Sequence, residues 1–161
     1  MLTVNERISD DAEPAATLTL PFELRQKSRL RARLDDGREV ALLLPRGTVL
    51  RGGDRLRAAD GLVIRLRARP EAVSTAFTKD PLLLARACYH LGNRHVPLEI
   101  GDSWLRYLHD HVLDALVAGM GLKVFAETAP FEPESGAYAP HGDGHGVFRS
   151  AAHAHAHDHG H

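Results

Sequence analysis

Cysteine is almost absent from this chain of 161 residues; Cys88 stands alone. A lone cysteine forms no intrachain disulfide, which excludes a disulfide-stapled scaffold and fits a reducing compartment. No apolar run approaches the roughly 18 residues that cross a bilayer as a helix. The first residues, MLTVNERISDDAEP, carry acids where a secretory leader carries an apolar stretch. The expected location is therefore the cytoplasm. Excess charge of one sign is also missing: 20 Lys plus Arg face 21 Asp plus Glu, so the formal charge is −1. Such a balance gives no overall drive toward nucleic acid or an anionic membrane. Aromatic residues are only 6% of the chain, too few to stack a series of bases. The alternating Arg25, Lys27, Arg29, Arg31 and Arg33 accordingly read as the wet face of a β-strand. Catalytic signatures are missing too. There is no Gly-rich phosphate loop, no H-E-x-x-H and no G-x-S-x-G. The chain is not expected to be an enzyme.

What the sequence has in abundance is histidine. There are 11, and seven of them fall between His141 and His161. The rest of the composition, 43% apolar and 25% charged, is that of an ordinary globular protein and supports a sizeable core.

The apolar pattern divides the chain into three. Residues 1–16, acidic and rich in Ala and Pro, read as a frayed terminus to a first domain over residues 1–70. Leu18–Leu20 opens a series of short strands, and Asp35-Asp36-Gly37-Arg38 makes a tight hairpin between residues 30–34 and 39–44. Pro45-Arg46-Gly47 and Arg51-Gly52-Gly53-Asp54 are further turns, and Leu62, Ile64 and Leu66 alternate with Val63, Arg65 and Arg67 as a strand with one wet face would. No useful helical period appears, so this is a small all-β domain.

Residues 71–135 read as a second domain. Glu71–Phe77 is a strand. Asp80 then caps a helix that begins at Pro81, where the missing proline N–H costs nothing. Leu83, Leu84, Ala87, Cys88 and Leu91 form its buried face, and Gly92 is expected to stop it. Residues 96–100 alternate as a strand, Gly101-Asp102 turns the chain, and residues 104–108 return. Asp110 caps a second helix with Val112, Leu113, Leu116, Val117 and Met120 on one face, closed by Gly121. Residues 122–128 end as a strand. The order β-α-β-β-α-β predicts an α+β chain whose second domain is ferredoxin-like. After Thr128 the period stops, and residues 136–161 form a His-rich tail expected to be disordered without metal.

The chemistry follows from the histidines. His153, His155, His157, His159 and His161 alternate at the end of the tail, with His141 and His145 upstream. Imidazole binds Ni, Cu, Zn and Co well, and a flexible backbone wraps an ion with small strain. A purification tag is usually an unbroken run, which favours native metal binding here. Within the folded part, His95 follows the expected helix stop on an irregular, accessible stretch; spacing alone leaves it between surface filler and a ligand. His90, in the last helical turn, suits the helix dipole. His109 and His111 flank Asp110 at a strand-to-helix junction. Two residues apart on a helix they would diverge, but at a strand end they can converge on an ion. Cys88 reads as a small buried hydrophobe.

The segments LTLPFELRQKSRLRARLDDGREVALLLPRGTVLRGGD, ACYHLGNRHVPLEI and LRYLHDHVLD, with the His-rich end, resemble the UreE-type urease accessory proteins. The resemblance implies a nickel metallochaperone that delivers Ni(II) to maturing urease, with nickel as cargo; the imidazole ligands by themselves do not separate nickel from Zn(II) or Cu(II), which are expected to bind in vitro. It implies a homodimer built from an N-terminal β domain, often called peptide-binding, and a ferredoxin-like domain. It places the essential ligand on His95, one per subunit across the dimer interface, and auxiliary ligands on His109 and His111, with tail histidines adding capacity. The implied partners are the urease accessory GTPase and the urease apoprotein complex. Some members carry a histidine directly before the His-Asp-His junction, where this chain has Leu108. The competing reading is a histidine-rich storage or buffering protein with no delivery partner.

Overall fold

A computed structural model of the chain describes residues 1–136. The seven histidines from His141 to His161, and the expected disorder of the tail, lie outside the described residues.

Residues 2–68 build a six-stranded sheet. Its strands are β1 (Leu2–Ile8), β2 (Ala16–Leu20), β3 (Arg29–Arg33), β4 (Glu39–Leu43), β5 (Arg55–Ala58) and β6 (Val63–Ala68), with the single-turn helix α1 (Phe22–Arg25) after β2. The spatial order is β2-β6-β5-β1-β4-β3. The β3–β4 hairpin forms where the Asp-Asp-Gly-Arg turn predicts it; Gly37 takes φ 93°, open to glycine at no steric cost. Val4, Leu18, Val40, Leu42, Leu56, Ile64 and Leu66 are fully buried and form one core.

Two expectations fail in this half. The N-terminus is not frayed: β1 lies inside the sheet, parallel to β4 and antiparallel to β5, with Val4 fully buried. A register shift between Val4 and Glu6 breaks the period-2 pattern, which is why the strand does not read as one. Arg25 is not on a wet strand face. It ends α1 and is fully buried, whereas Arg29, Arg31 and Arg33 are exposed on β3 as expected.

Residues 70–130 build a second, four-stranded sheet from β7 (Pro70–Phe77), β8 (Glu99–Gly101), β9 (Trp104–Leu108) and β10 (Lys123–Pro130), ordered β10-β7-β9-β8 with antiparallel neighbours. Helices α2 (Pro81–Asn93) and α3 (His111–Met120) connect β7 to β8 and β9 to β10. Asp80 accepts from the backbone N–H of Leu82 and Leu83, and Asp110 from Val112 and Leu113, so both predicted caps form. Ala87, Leu91 and Val117 of the helices pack on Ala76, Leu105 and Tyr107 of the sheet. Gly101 is required for close packing, because a Cβ there would fall 2.1 Å from the Trp104 ring. The strand expected over residues 96–100 shrinks to three residues, since Pro97 has no N–H for a ladder.

Gly92 does not stop α2. The helix runs through it to Asn93, with Arg94 as its C-cap. Order also outlasts the apolar period: β10 continues to Pro130, and the isolated Phe131 is fully buried. Phe131 meets Phe22 edge to face at 5.5 Å, and Arg25 donates to the Phe131 carbonyl and to Glu132. Glu132 accepts from the Gly52 N–H at 2.8 Å, while the Glu134 N–H donates to the Leu98 carbonyl at 2.6 Å. The segment after β10 thus clasps the two sheets together. Among the described residues, no helix is long and apolar enough to cross a membrane.

Candidate metal centre

His95 occupies an unusual backbone position. Its φ is 60°, in the left-handed region that favours glycine. The His95 N–H donates to the Gly92 carbonyl at 3.0 Å and the Val96 N–H to the Leu91 carbonyl at 3.2 Å. These two bonds close the end of α2 as a Schellman motif, with histidine where glycine is usual. A non-glycine residue held there costs of order 1–3 kcal/mol. The geometry turns the chain sharply and leaves the His95 side chain exposed. The C-terminal end of a helix is also the favourable end of its dipole for a cation, worth about 0.3–1 kcal/mol.

His109 and His111 do converge. Their ring centroids are 5.2 Å apart and the planes stand at 78°. His109 ends the β9 segment, its N–H donating to the Ala72 carbonyl at 3.1 Å. Its Nδ1 is 3.0 Å from the Ser74 Oγ and 3.3 Å from an Asp114 carboxylate oxygen. Asp110 between the two histidines is committed to capping α3, where its Oδ1 accepts from Val112 and Leu113. The N-terminal end of α3 disfavours positive charge, and the Asp110 carboxylate at its N-cap and that of Asp114 in its first turn offset that dipole beside the pair. The Tyr107 hydroxyl donates to Asp114 at 2.8 Å. Burial pushes the Tyr107 pKa well above the usual phenol range, and the Asp114 carboxylate adds to that rise.

Ser74, Tyr107 and Asp114 escape a reading of the sequence. Ser74 lies 35 positions from His109, and only strand pairing brings them together. Asp114, three residues beyond His111 on a helix, carried the only local signal. His90 is exposed and stacks edge to face on Tyr89, apart from any acid that would mark a site. Cys88 packs against the core, and burial raises its thiol pKa, which disfavours the thiolate a metal needs. Among the described residues, no three His, Cys, Asp or Glu side chains gather into a closed cluster. That excludes a four-ligand structural site within them and leaves single and paired imidazoles facing solvent.

Residues 3–69 match the family described as UreE urease accessory protein, N-terminal domain, and residues 71–161 its C-terminal domain. This chain belongs to the UreE urease accessory protein family. Among its relatives, the urease accessory protein UreE of Alkalilimnicola ehrlichii is 64% identical over 138 residues, covering 86% of this chain and 85% of the relative. That of Pseudomonas putida is 59% identical over 147 residues, covering 88% and 89%. That of Citrobacter koseri is 56% identical over 146 residues, covering 90% and 96%. The two family segments meet at residue 70, where β6 gives way to β7 with only Arg69 between them.

Proposed function

We propose that this UreE protein is a cytoplasmic nickel metallochaperone that serves urease maturation as an accessory protein and not as a catalyst. It binds Ni(II) as cargo through His95, with His109 and His111 as a peripheral pair and the histidines between His141 and His161 as a reservoir. Its partners are the urease accessory GTPase and, through it, the urease apoprotein complex. Residues 1–70 act as the N-terminal β domain, residues 71–135 as a ferredoxin-like metal-binding domain, and residues 136–161 as the tail. The observation that carries the reading is His95 itself: an exposed imidazole kept at a position where glycine would be less strained.

One imidazole is a poor site. Two of them across a two-fold axis make a shared one, because an isologous interface presents each residue twice. The outward stripe of α2 supports such an interface. Leu82 and Tyr89, seven residues apart on that helix, are 57% and 65% exposed, and the stripe runs toward His95. Two shared imidazoles leave coordination positions open, and an open site releases its ion by ligand exchange, which delivery requires.

Two outcomes follow. Replacing Leu82 and Tyr89 together by glutamate should convert the dimer to a monomer in sedimentation equilibrium, and the tight nickel site should disappear with it. A dimer that survives with its nickel intact places the interface elsewhere, with the exposed Phe77–Phe125 pair on the opposite sheet face as the alternative. Calorimetric titration of the full chain against residues 1–138, with a mass measurement, tests the reservoir. Truncation should remove most bound nickel and leave the dimer and the tightest site. If the detached tail alone accounts for all binding, the protein is a metal buffer and not a chaperone.

A further inference from the structure

His109 can serve a metal only through the nitrogen that does not carry its proton. In water the neutral ring favours the Nε2–H tautomer, which would block the outward nitrogen. Here Nδ1 faces inward, 3.0 Å from the buried Ser74 hydroxyl and 3.3 Å from Asp114. A carboxylate only accepts, so a bare Nδ1 would set two lone pairs against each other at 3.3 Å, and the favourable arrangement puts the proton on Nδ1, bonded to the Ser74 hydroxyl beside the Asp114 carboxylate. Ser74 alone would not decide this, because its hydroxyl can donate to a bare Nδ1 as easily as it accepts from Nδ1–H. The carboxylate is itself held: its other oxygen takes the hydroxyl of the fully buried Tyr107 at 2.8 Å. Its backbone is fixed in the first turn of α3.

We propose that Asp114, anchored by Tyr107, is a positioning residue that sets the His109 tautomer and presents an unprotonated Nε2 beside His111 as a metal ligand. The inference rests on the reading of His109 as a ligand and deepens it. A carboxylate behind a ligating imidazole orients the ring and raises its basicity, and loss of such a partner typically weakens metal binding about 10–100-fold. Asp110, although nearer in sequence, does not take this part: its Oδ1 caps α3, and the carboxylate beside the His109 Nδ1 is that of Asp114.

The test is nitrogen-15 imidazole NMR on the full chain at pH 8, first without metal and then with nickel in excess of all 11 imidazoles. Metal-free His109 should show the Nδ1–H tautomer. Asp114→Ala should turn it to Nε2–H and raise the nickel concentration that perturbs the His109 resonances by about tenfold or more. Tyr107→Phe should produce a smaller shift in the same direction. A wild-type His109 with its proton on Nε2 overturns the proposal whatever the metal does. So does an Asp114→Ala protein that loses stability while tautomer and nickel response stay as in the wild type, because that marks a purely structural carboxylate. If the tautomer is Nδ1–H but nickel leaves His109 unperturbed, the ligand reading itself fails, and the metal role of Asp114 falls with it.

Discussion

His95→Ala should abolish the proposed tight nickel site while leaving the protein folded. In the proposed site the ligand is shared across a two-fold axis, so one substitution would remove two imidazoles from one ion. The expected loss exceeds about 100-fold, since removing a partner that merely orients a ligand already costs 10–100-fold. Folding should hardly change, because the ring is exposed and fills no core space. A second substitution separates binding from stability more sharply. His95→Gly removes the same imidazole but relieves the left-handed φ of 60° that closes α2. It should raise the unfolding free energy by about 1 kcal/mol relative to the parent chain as well as to His95→Ala, measured by urea denaturation. A protein that gains stability as it loses its metal site is the signature of a residue kept for function. A stability loss in His95→Gly would show instead that the imidazole itself supports the fold.

Arg25→Ala should be strongly destabilising. The guanidinium is fully buried and donates to the carbonyls of Leu20, Leu50 and Phe131 and to Glu132. Burial pulls its pKa below the usual arginine range, opposed by the neighbouring Glu132 and Glu71 carboxylates. Alanine strands the Leu50 and Phe131 carbonyls, whereas that of Leu20 keeps the Arg69 N–H, and it opens a cavity between the two sheets. Each orphaned buried polar group costs about 1–3 kcal/mol, so a loss of about 3 kcal/mol or more is expected in urea unfolding. Glu132→Gln should cost far less, about 1 kcal/mol. Its side chain is 30% exposed, and the amide oxygen still accepts from Arg25, so only the bond from the Gly52 N–H to the second oxygen is lost. Equal losses for the two variants would mean that the ion pair, and not the carbonyl network, carries the clasp.

The helices were legible because their ends are written locally. Asp80-Pro81 and Asp110 cap them as the sequence indicates, and Gly121 closes α3 at φ 110°. Strand order was not legible, because the parallel pairings of β1 with β4 and β2 with β6 join residues about 40 positions apart or more. β1 hides behind a register shift, and Arg25 sits in line with strand arginines although α1 turns it inward. The site was legible as a set of histidines but not as geometry. Gly92 invited the helix stop, yet the stop is His95 itself, and only the backbone conformation shows that this residue bears strain. Ser74 and Tyr107 carry no ligand signal at all; strand pairing brings Ser74 behind His109, and Tyr107, on β9 two residues before His109, acts there through Asp114.

Nickel titration of His95→Ala within residues 1–138 tests the central claim most directly, since no tail histidine remains to compensate. The parent 1–138 protein should bind one tight nickel per dimer, and the variant, still dimeric by mass, should bind none with that affinity. If one tight nickel per dimer persists in the variant, His95 is not the shared ligand and the metal centre lies elsewhere in the chain.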